Sequence, residues 1–346
     1  MLPPFRLRAV FSLACAFLLA PTAFPQQPAQ PEADIRVSVD RVNVGVLVTD
    51  SGGQFVGGLR RDDFHVFDEG IEQPITDFLS VDEPAQVLML VEAGPAVYFL
   101  EGGHLFAVQA LLGGLAPNDQ VAIARYNEGA EPILNFTPDK TLAEGALDQL
   151  RFNLGFGQLN LASSLATALG WLARVPGKKS LVLLSTGVDT SPPAAVQNVL
   201  ARLKSTDVRV LAVSLSEGLR DSSPAKKKRS KKDQPIPEKI RAINETLAQA
   251  DLELKAIAQA SGGRAYFPVT TQDFAGVFTQ IAQLVRHEYN LAFVPPMHDG
   301  KIHSIDVRVS DSAEAKSASG AADPAPAPAY RVDHRQAYVA PAPEHR

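Results

Sequence analysis

Glu92 stands directly after Val87 to Val91, a run apolar at every position, and just before the tight turn Ala93-Gly94-Pro95. Such a run reads as a strand covered on both faces. The position beyond its carboxyl end is where open α/β sheets hold ligands, and in this turn Glu92 alone has a side chain able to grip one. Asn160, Ser185, Thr186 and Asp189 bring further oxygen donors to other loops of the same region. Carboxylate, hydroxyl and amide oxygens are the ligands a hard divalent cation takes. Ser185, His104 and Asp189 have the residue types of a hydrolytic triad, but nothing in the sequence brings them together. No Gly-x-Ser-x-Gly, Walker or Cys-x-x-Cys pattern occurs, so no enzyme is expected. The seven His show no metal-ligand spacing, and His298 and His303, flanking the Asp299-Gly300 turn signal, are expected to be exposed.

The elements that must position these residues follow from patterning. The 346 residues are 45% hydrophobic and 21% charged, which suits a globular chain of one large or two modest domains. A formal charge of −5 argues against a general nucleic-acid binder. Residues 1–25 combine Arg6 and Arg8, an apolar run from Ala9 to Leu19 and small residues after it, the pattern of a secretory signal peptide. That run falls well short of the roughly 20 residues that span a bilayer, so no membrane span is expected. Export to the periplasm or the extracellular space is expected instead. Cys15 is the only cysteine and lies inside this segment, which leaves no thiol chemistry or disulfide in the mature chain.

A Pro/Gln/Ala linker, 26–34, leads into residues 35–82, where apolar and polar residues largely alternate, as in strands wet on one face. Asp68-Glu69-Gly70 is a hairpin signal, and Gln73 to Phe78 reads as the strand after it. Residues 85–287 change rhythm. Strands read at 87–91 and 181–184, apolar throughout, and at 121–126 and 208–215 alternate with amphipathic stretches such as His104 to Leu115 and Pro193 to Ser205. A basic insertion, 217–236, interrupts them. Residues 289–342 return to alternating β, with Arg331 to Tyr338 as one strand. The expected fold class is α/β, a doubly wound and mostly parallel sheet inserted in a small antiparallel β domain. The two β segments, 35–82 and 289–342, are expected to pair, because neither makes a closed core alone.

Several stretches carry a family resemblance. They are Val44-x-Val46-x-Val48-x-Asp50, Gly58-Leu-x-x-x-Asp63-Phe64-x-Val66, Asp119-Gln-Val-Ala-Ile123, Ser261-Gly-Gly-Arg-Ala-Tyr-Phe-Pro268, Glu288-Tyr-x-Leu291 and Asp299-Gly-Lys301. In order and spacing the chain resembles the von Willebrand factor type A (VWA)-related proteins of the Acidobacteria type, from about residue 35 to about 342. The resemblance implies a metal-ion-dependent adhesion site of Asp-x-Ser-x-Ser on one loop, Thr on a second and Asp on a third. At the matching positions this chain has Glu92, Gly94, Ala96, Leu159 and Thr186. Four of five usual ligands are lost and the fifth is one methylene longer, so the site is degenerate, with no metal and no cofactor expected. Asn160 and Asp189 are offset from the usual positions by one residue and three.

The expected function is that of an exported protein-protein interaction module acting without a bound metal. Its candidate contact residues are Glu92, Pro95, Tyr98, Leu159, Asn160, Thr186 and Asp189. The alternatives are a divalent-metal adhesion module with a non-standard ligand set, and a structural component of an extracytoplasmic assembly. The sequence names no protein partner and fixes no oligomeric state.

Overall fold

The strands of the α/β layer alternate their side chains between two helical layers, and that alternation organises the molecule. The computed structural model describes residues 41–81, 84–94, 103–147, 150, 158–221, 238–310 and 330–342. The expected signal peptide and linker, most of the basic insertion, and Pro95, Ala96 and Tyr98 lie outside the described residues. In chain order the strands before the first described helix are β1 (Val42–Thr49), β2 (Phe64–Asp68), β3 (Ile71–Gln73), β4 (Asp77–Val81) and β5 (Gln86–Glu92). Then come α1 (Gly103–Gly114), β6 (Gln120–Tyr126), β7 (Ala130–Thr137), α2 (Lys140–Leu147), α3 (Leu161–Leu172) and β8 (Lys179–Ser185). They are followed by α4 (Pro193–Ser205), β9 (Val208–Ser214), α5 (Ser216–Asp221), α6 (Glu238–Ala260), β10 (Arg264–Tyr266) and α7 (Thr271–Leu284). The closing strands are β11 (Glu288–Phe293), β12 (Ile302–Val309), β13 (Arg331–His334) and β14 (Ala337–Val339).

The α/β sheet has the order β10-β9-β8-β5-β6-β7, parallel except for β7. Val87, Met89 and Val91 of β5 pack with Val108, Leu111 and Leu112 of α1 and with Phe278 and Ile281 of α7. Leu88 and Leu90 point the other way, toward Leu165 and Leu169 of α3, Leu203 of α4 and Leu254 of α6. Successive residues of a strand face opposite sides, so a strand covered on both sides must be apolar throughout, and β9 is buried at every residue. The strand order reverses between β5 and β8, which run side by side with Val91 opposite Leu184. Their carboxyl ends, Glu92 and Ser185, therefore flank the switch point of the sheet.

The other two sheets are antiparallel and four-stranded, in the orders β13-β1-β11-β4 and β14-β12-β2-β3. Val44 pairs with Leu291 and Val307 with Val66, so each sheet joins strands from before and after the α/β segment. Their inner faces meet in one core that includes Val46, Phe64, Tyr289, Phe293, Ile305 and Tyr338. Two expected strands turn out to be four. Gln73 to Phe78 divides at Pro74, which cannot donate to a ladder, and β3 joins β2 while β4 joins β11. Arg331 to Tyr338 likewise divides, β13 pairing with β1 and β14 with β12. His303, expected to be exposed, is only 7% accessible. From β12, whose alternate residues face the core, it pairs with Tyr338 of β14.

Buried charge joins the antiparallel sheets to the α/β layer. Arg209 Nη1 lies 2.9 Å from Glu288 Oε2, and Arg264 reaches both Thr49 Oγ1, at 2.9 Å, and the Asp333 carboxylate. The Ser261-Gly262-Gly263 turn makes that approach possible. A Cβ at Gly262 would sit 2.2 Å from the His334 carbonyl carbon, and one at Gly263 would sit 1.9 Å from Val210 O. Only glycine lets the chain pass between the two backbones there.

Candidate functional site

Glu92 closes β5 at the switch point, and its side chain has no accessible surface. Its extra methylene carries the carboxyl across to the residue that follows β8. Thr186 donates to it twice, from the backbone N–H at 2.7 Å and from Oγ1 at 2.8 Å. Ser185 Oγ lies 3.2 Å and Tyr126 OH 3.1 Å from the same carboxyl oxygen. The two hydroxyls are 2.6 Å apart, and Gly187 N–H donates to Ser185 Oγ at 2.8 Å. Burial pushes the Glu92 carboxyl above its usual range, and the bonds from Thr186, Tyr126 and Ser185 only partly offset it. Burial first, and the Glu92 charge second, push the Tyr126 phenol up as well.

Gly94 and Leu159 fit each other sterically. A Cβ on Gly94 would lie 2.8 Å from Leu159 Cδ2 and 3.3 Å from Glu92 Oε1. With Leu159 in this place, a serine at 94 does not fit without a shift in its neighbours. Gly94 and the Leu159 side chain are thus packing neighbours. Among the described residues, Glu92 belongs to no group of three His, Cys, Asp or Glu side chains close enough to share an ion.

Asp189 turns to a different task. Its carboxylate accepts from the backbone N–H groups of Leu161 at 3.1 Å, Ala162 at 3.0 Å and Ser191 at 2.8 Å. Free N–H groups at a helix start attract an anion, and Asp189 supplies it to α3 from a separate loop. Asn160, the residue before α3, makes no cap bond of its own and instead donates from Nδ2 to Glu128 O at 2.9 Å. Thr190 completes the loop contact, donating from N to Leu159 O at 2.7 Å.

The structure therefore brings Glu92 and Thr186 into direct contact and places Asn160 and Asp189 at the start of α3. Glu92 and Thr186 are wholly buried, so neither offers surface to a partner. Leu159, Asn160 and Asp189 are partly exposed. Tyr126 and Ser185 complete the cage. Tyr126, absent from the candidate residues, had one signal in the sequence: a buried tyrosine ending an apolar strand needs a partner for its hydroxyl, and its opposite number in the ladder is Glu92.

No protein-family model and no curated protein matches the chain. Solved structures show partial likeness. A von Willebrand factor type A protein from Catenulispora acidiphila is 12% identical, over 88% of this chain and 75% of that one, with a TM-score of 0.45. An aerotolerance-related membrane protein from Bacteroides fragilis is 16% identical, over 58% of this chain and 98% of that one, with a TM-score of 0.42. Proximal thread matrix protein 1 from the mussel byssus is 13% identical, over 59% of this chain and 49% of that one, also with a TM-score of 0.42.

Proposed function

We propose that this chain is an exported protein-interaction module of the von Willebrand factor type A kind, whose switch-point site works without a metal ion. One observation carries the reading: Glu92 Oε2 accepts from Thr186 N–H and Thr186 Oγ1 and lies 3.1–3.2 Å from the Tyr126 and Ser185 hydroxyls, all inside the protein. A divalent cation takes several oxygen ligands at once, and here Oε2 is already engaged while, among the described residues, Glu92 belongs to no group of three His, Cys, Asp or Glu side chains that could share an ion. Glu92 and Thr186 then brace the loops, and contact falls to the partly exposed side chains above them, Leu159 and Asn160. Export is supported by the basic, apolar and small-residue order of residues 1–25.

The test is binding to partners in the extracytoplasmic fraction, wild type against Leu159→Asp, with millimolar Mg²⁺ and without it. An unpaired charge in a desolvated contact should weaken binding at least about tenfold, with no change in the circular dichroism. Mg²⁺ should make no difference. Equal binding by a folded Leu159→Asp chain, or binding that requires Mg²⁺, would overturn the reading.

A further inference from the structure

The two-residue turn between β2 and β3 places an acidic side chain where turns of its kind rarely have one. Glu69 and Gly70 have φ of 48° and 80°, as in the hairpin turn that favours Asn-Gly or Gly-Gly. Among the described residues Glu69 is the only non-glycine with positive φ. It is held against β12 by two bonds with Ser304, whose N–H donates to Glu69 Oε1 at 2.6 Å and whose carbonyl accepts from Glu69 N at 3.1 Å. The residues flanking that contact are Asp68 at the end of β2 and His303 on β12.

Asp68 is 2% and His303 7% accessible. Tyr338 OH donates to Asp68 Oδ2 at 3.2 Å, and His303 Nε2 lies 3.1 Å from Asp299 Oδ1. With Nε2 turned to Asp299, Nδ1 is the ring nitrogen turned toward Asp68. The remaining two atoms, Asp68 Oδ1 and His303 Nδ1, are both buried without a hydrogen-bond partner and face each other across 3.7 Å. That separation exceeds a hydrogen bond, so neither buried atom satisfies the other. A ligand atom of Glu69 joins the same group, with all three atoms within 4.8 Å of one another. Two atoms bound to one tetrahedral ion at about 2.1 Å sit about 3.4 Å apart, close to the 3.7 Å between Asp68 Oδ1 and His303 Nδ1.

We propose that Asp68, Glu69 and His303 form a three-ligand site for a divalent transition-metal cation, with Asp299 orienting His303 through Nε2 and Tyr338 holding Asp68. One imidazole and two carboxylates suit Zn²⁺ better than Mg²⁺ or Ca²⁺. Three protein ligands leave a fourth position to water or to a partner's carboxylate. The site is distinct from the Glu92 cage and does not depend on what binds there.

The experiment titrates Zn²⁺ into the chelator-stripped full chain by calorimetry and repeats it with Co²⁺, whose visible absorption reports ligand geometry. One equivalent should bind with micromolar or tighter affinity, and Asp68→Asn and His303→Ala should abolish it. Because those side chains are buried, Glu69→Asn is the decisive variant. Asparagine tolerates this backbone conformation better than glutamate, so the metal-free variant should be at least as stable as wild type while binding Zn²⁺ at least about tenfold more weakly. A wild-type chain that takes up no equivalent of Zn²⁺ would overturn the site, and a His303 ring found doubly protonated by nitrogen NMR would assign the cluster to a proton-held ion pair instead. Unchanged affinity in a folded Glu69→Asn chain would overturn it too.

Discussion

Glu92 and Asp68 are buried acids at the ends of β5 and β2, and burial is the leading cause that pushes both carboxyls above their usual range. Their neighbours differ in kind. Around Glu92 the nearest polar groups are an N–H and three hydroxyls, all able to donate. Around Asp68 one hydroxyl donates, while the free oxygen meets the nitrogen of an imidazole whose other nitrogen is already held by a carboxylate. Charge and burial alone do not separate a structural acid from a binding one. The balance of donors to acceptors does: an excess of donors finishes the acid, and an excess of acceptors asks for a cation.

The largest expected effect tests the first half of that contrast. Glu92→Ala leaves the Thr186 N–H and hydroxyl buried without their acceptor and removes that of the Ser185–Tyr126 hydroxyl pair, and urea unfolding should show a loss of about 3–5 kcal/mol. A loss under about 1 kcal/mol would mean that the cage is not holding the sheet edge. Next comes metal. Zn²⁺ at 100 times its dissociation constant should stabilise the native chain by about 2.7 kcal/mol, raising the midpoint by roughly 5–10 °C. Mg²⁺ and Ca²⁺ should leave the midpoint unmoved in scanning fluorimetry. A saturable rise with Mg²⁺ that disappears in Glu92→Gln would place a cation in the cage and erase the contrast.

Smaller effects sharpen it. Gly94→Ser should destabilise by about 1–3 kcal/mol through overpacking against Leu159, and much of that should return in the double variant with Leu159→Thr. Additive losses in that double-mutant cycle would show that the two sites are uncoupled. A third acid obeys the same rule, since Asp189 meets only N–H donors. Asp189→Ala should cost about 1–2 kcal/mol by uncapping α3, with no change in metal uptake. The smallest signal is a slope. Glu92 in the folded chain keeps its proton to a higher pH than in the unfolded chain, where its ordinary value is 4.5. Its contribution is complete below that value and is lost as pH rises through the folded value. The stability of wild type relative to Glu92→Gln should therefore decline from about pH 4 upward, and a rise over that range would reverse the assigned shift.

The sequence made the α/β layer legible because its inner strands are buried on both faces and so carry unbroken apolar runs, as at Leu181 to Leu184. It hid β7, an antiparallel edge strand that is half exposed and interrupted by Pro132, features that blur any period. The divisions β3/β4 and β13/β14 were equally hidden, since alternation looks the same in whichever sheet a strand joins. In the site, loop position pointed to Glu92 and Thr186, but the bond between them depends on β5 and β8 being neighbours. Asp189 looked like a displaced metal ligand because its partner is a helix start, not a residue type. His303 looked exposed because the Asp299-Gly300 turn was readable, while its pairing with Tyr338 was not.

The pairing of β1 with β11 and of β12 with β2 also dictates an order of events as the chain folds. Contacts between residues far apart in sequence form late, because the intervening loop must first be closed at an entropic cost. Every residue of the Glu92 cage, from Glu92 to Gly187, lies within the α/β segment and can meet its partners before the last strands are made. Asp68 must wait for His303 and then for Tyr338, which arrive from the far end of the chain. The acid cluster of the antiparallel sheets thus completes only when β2, β12 and β14 have come together.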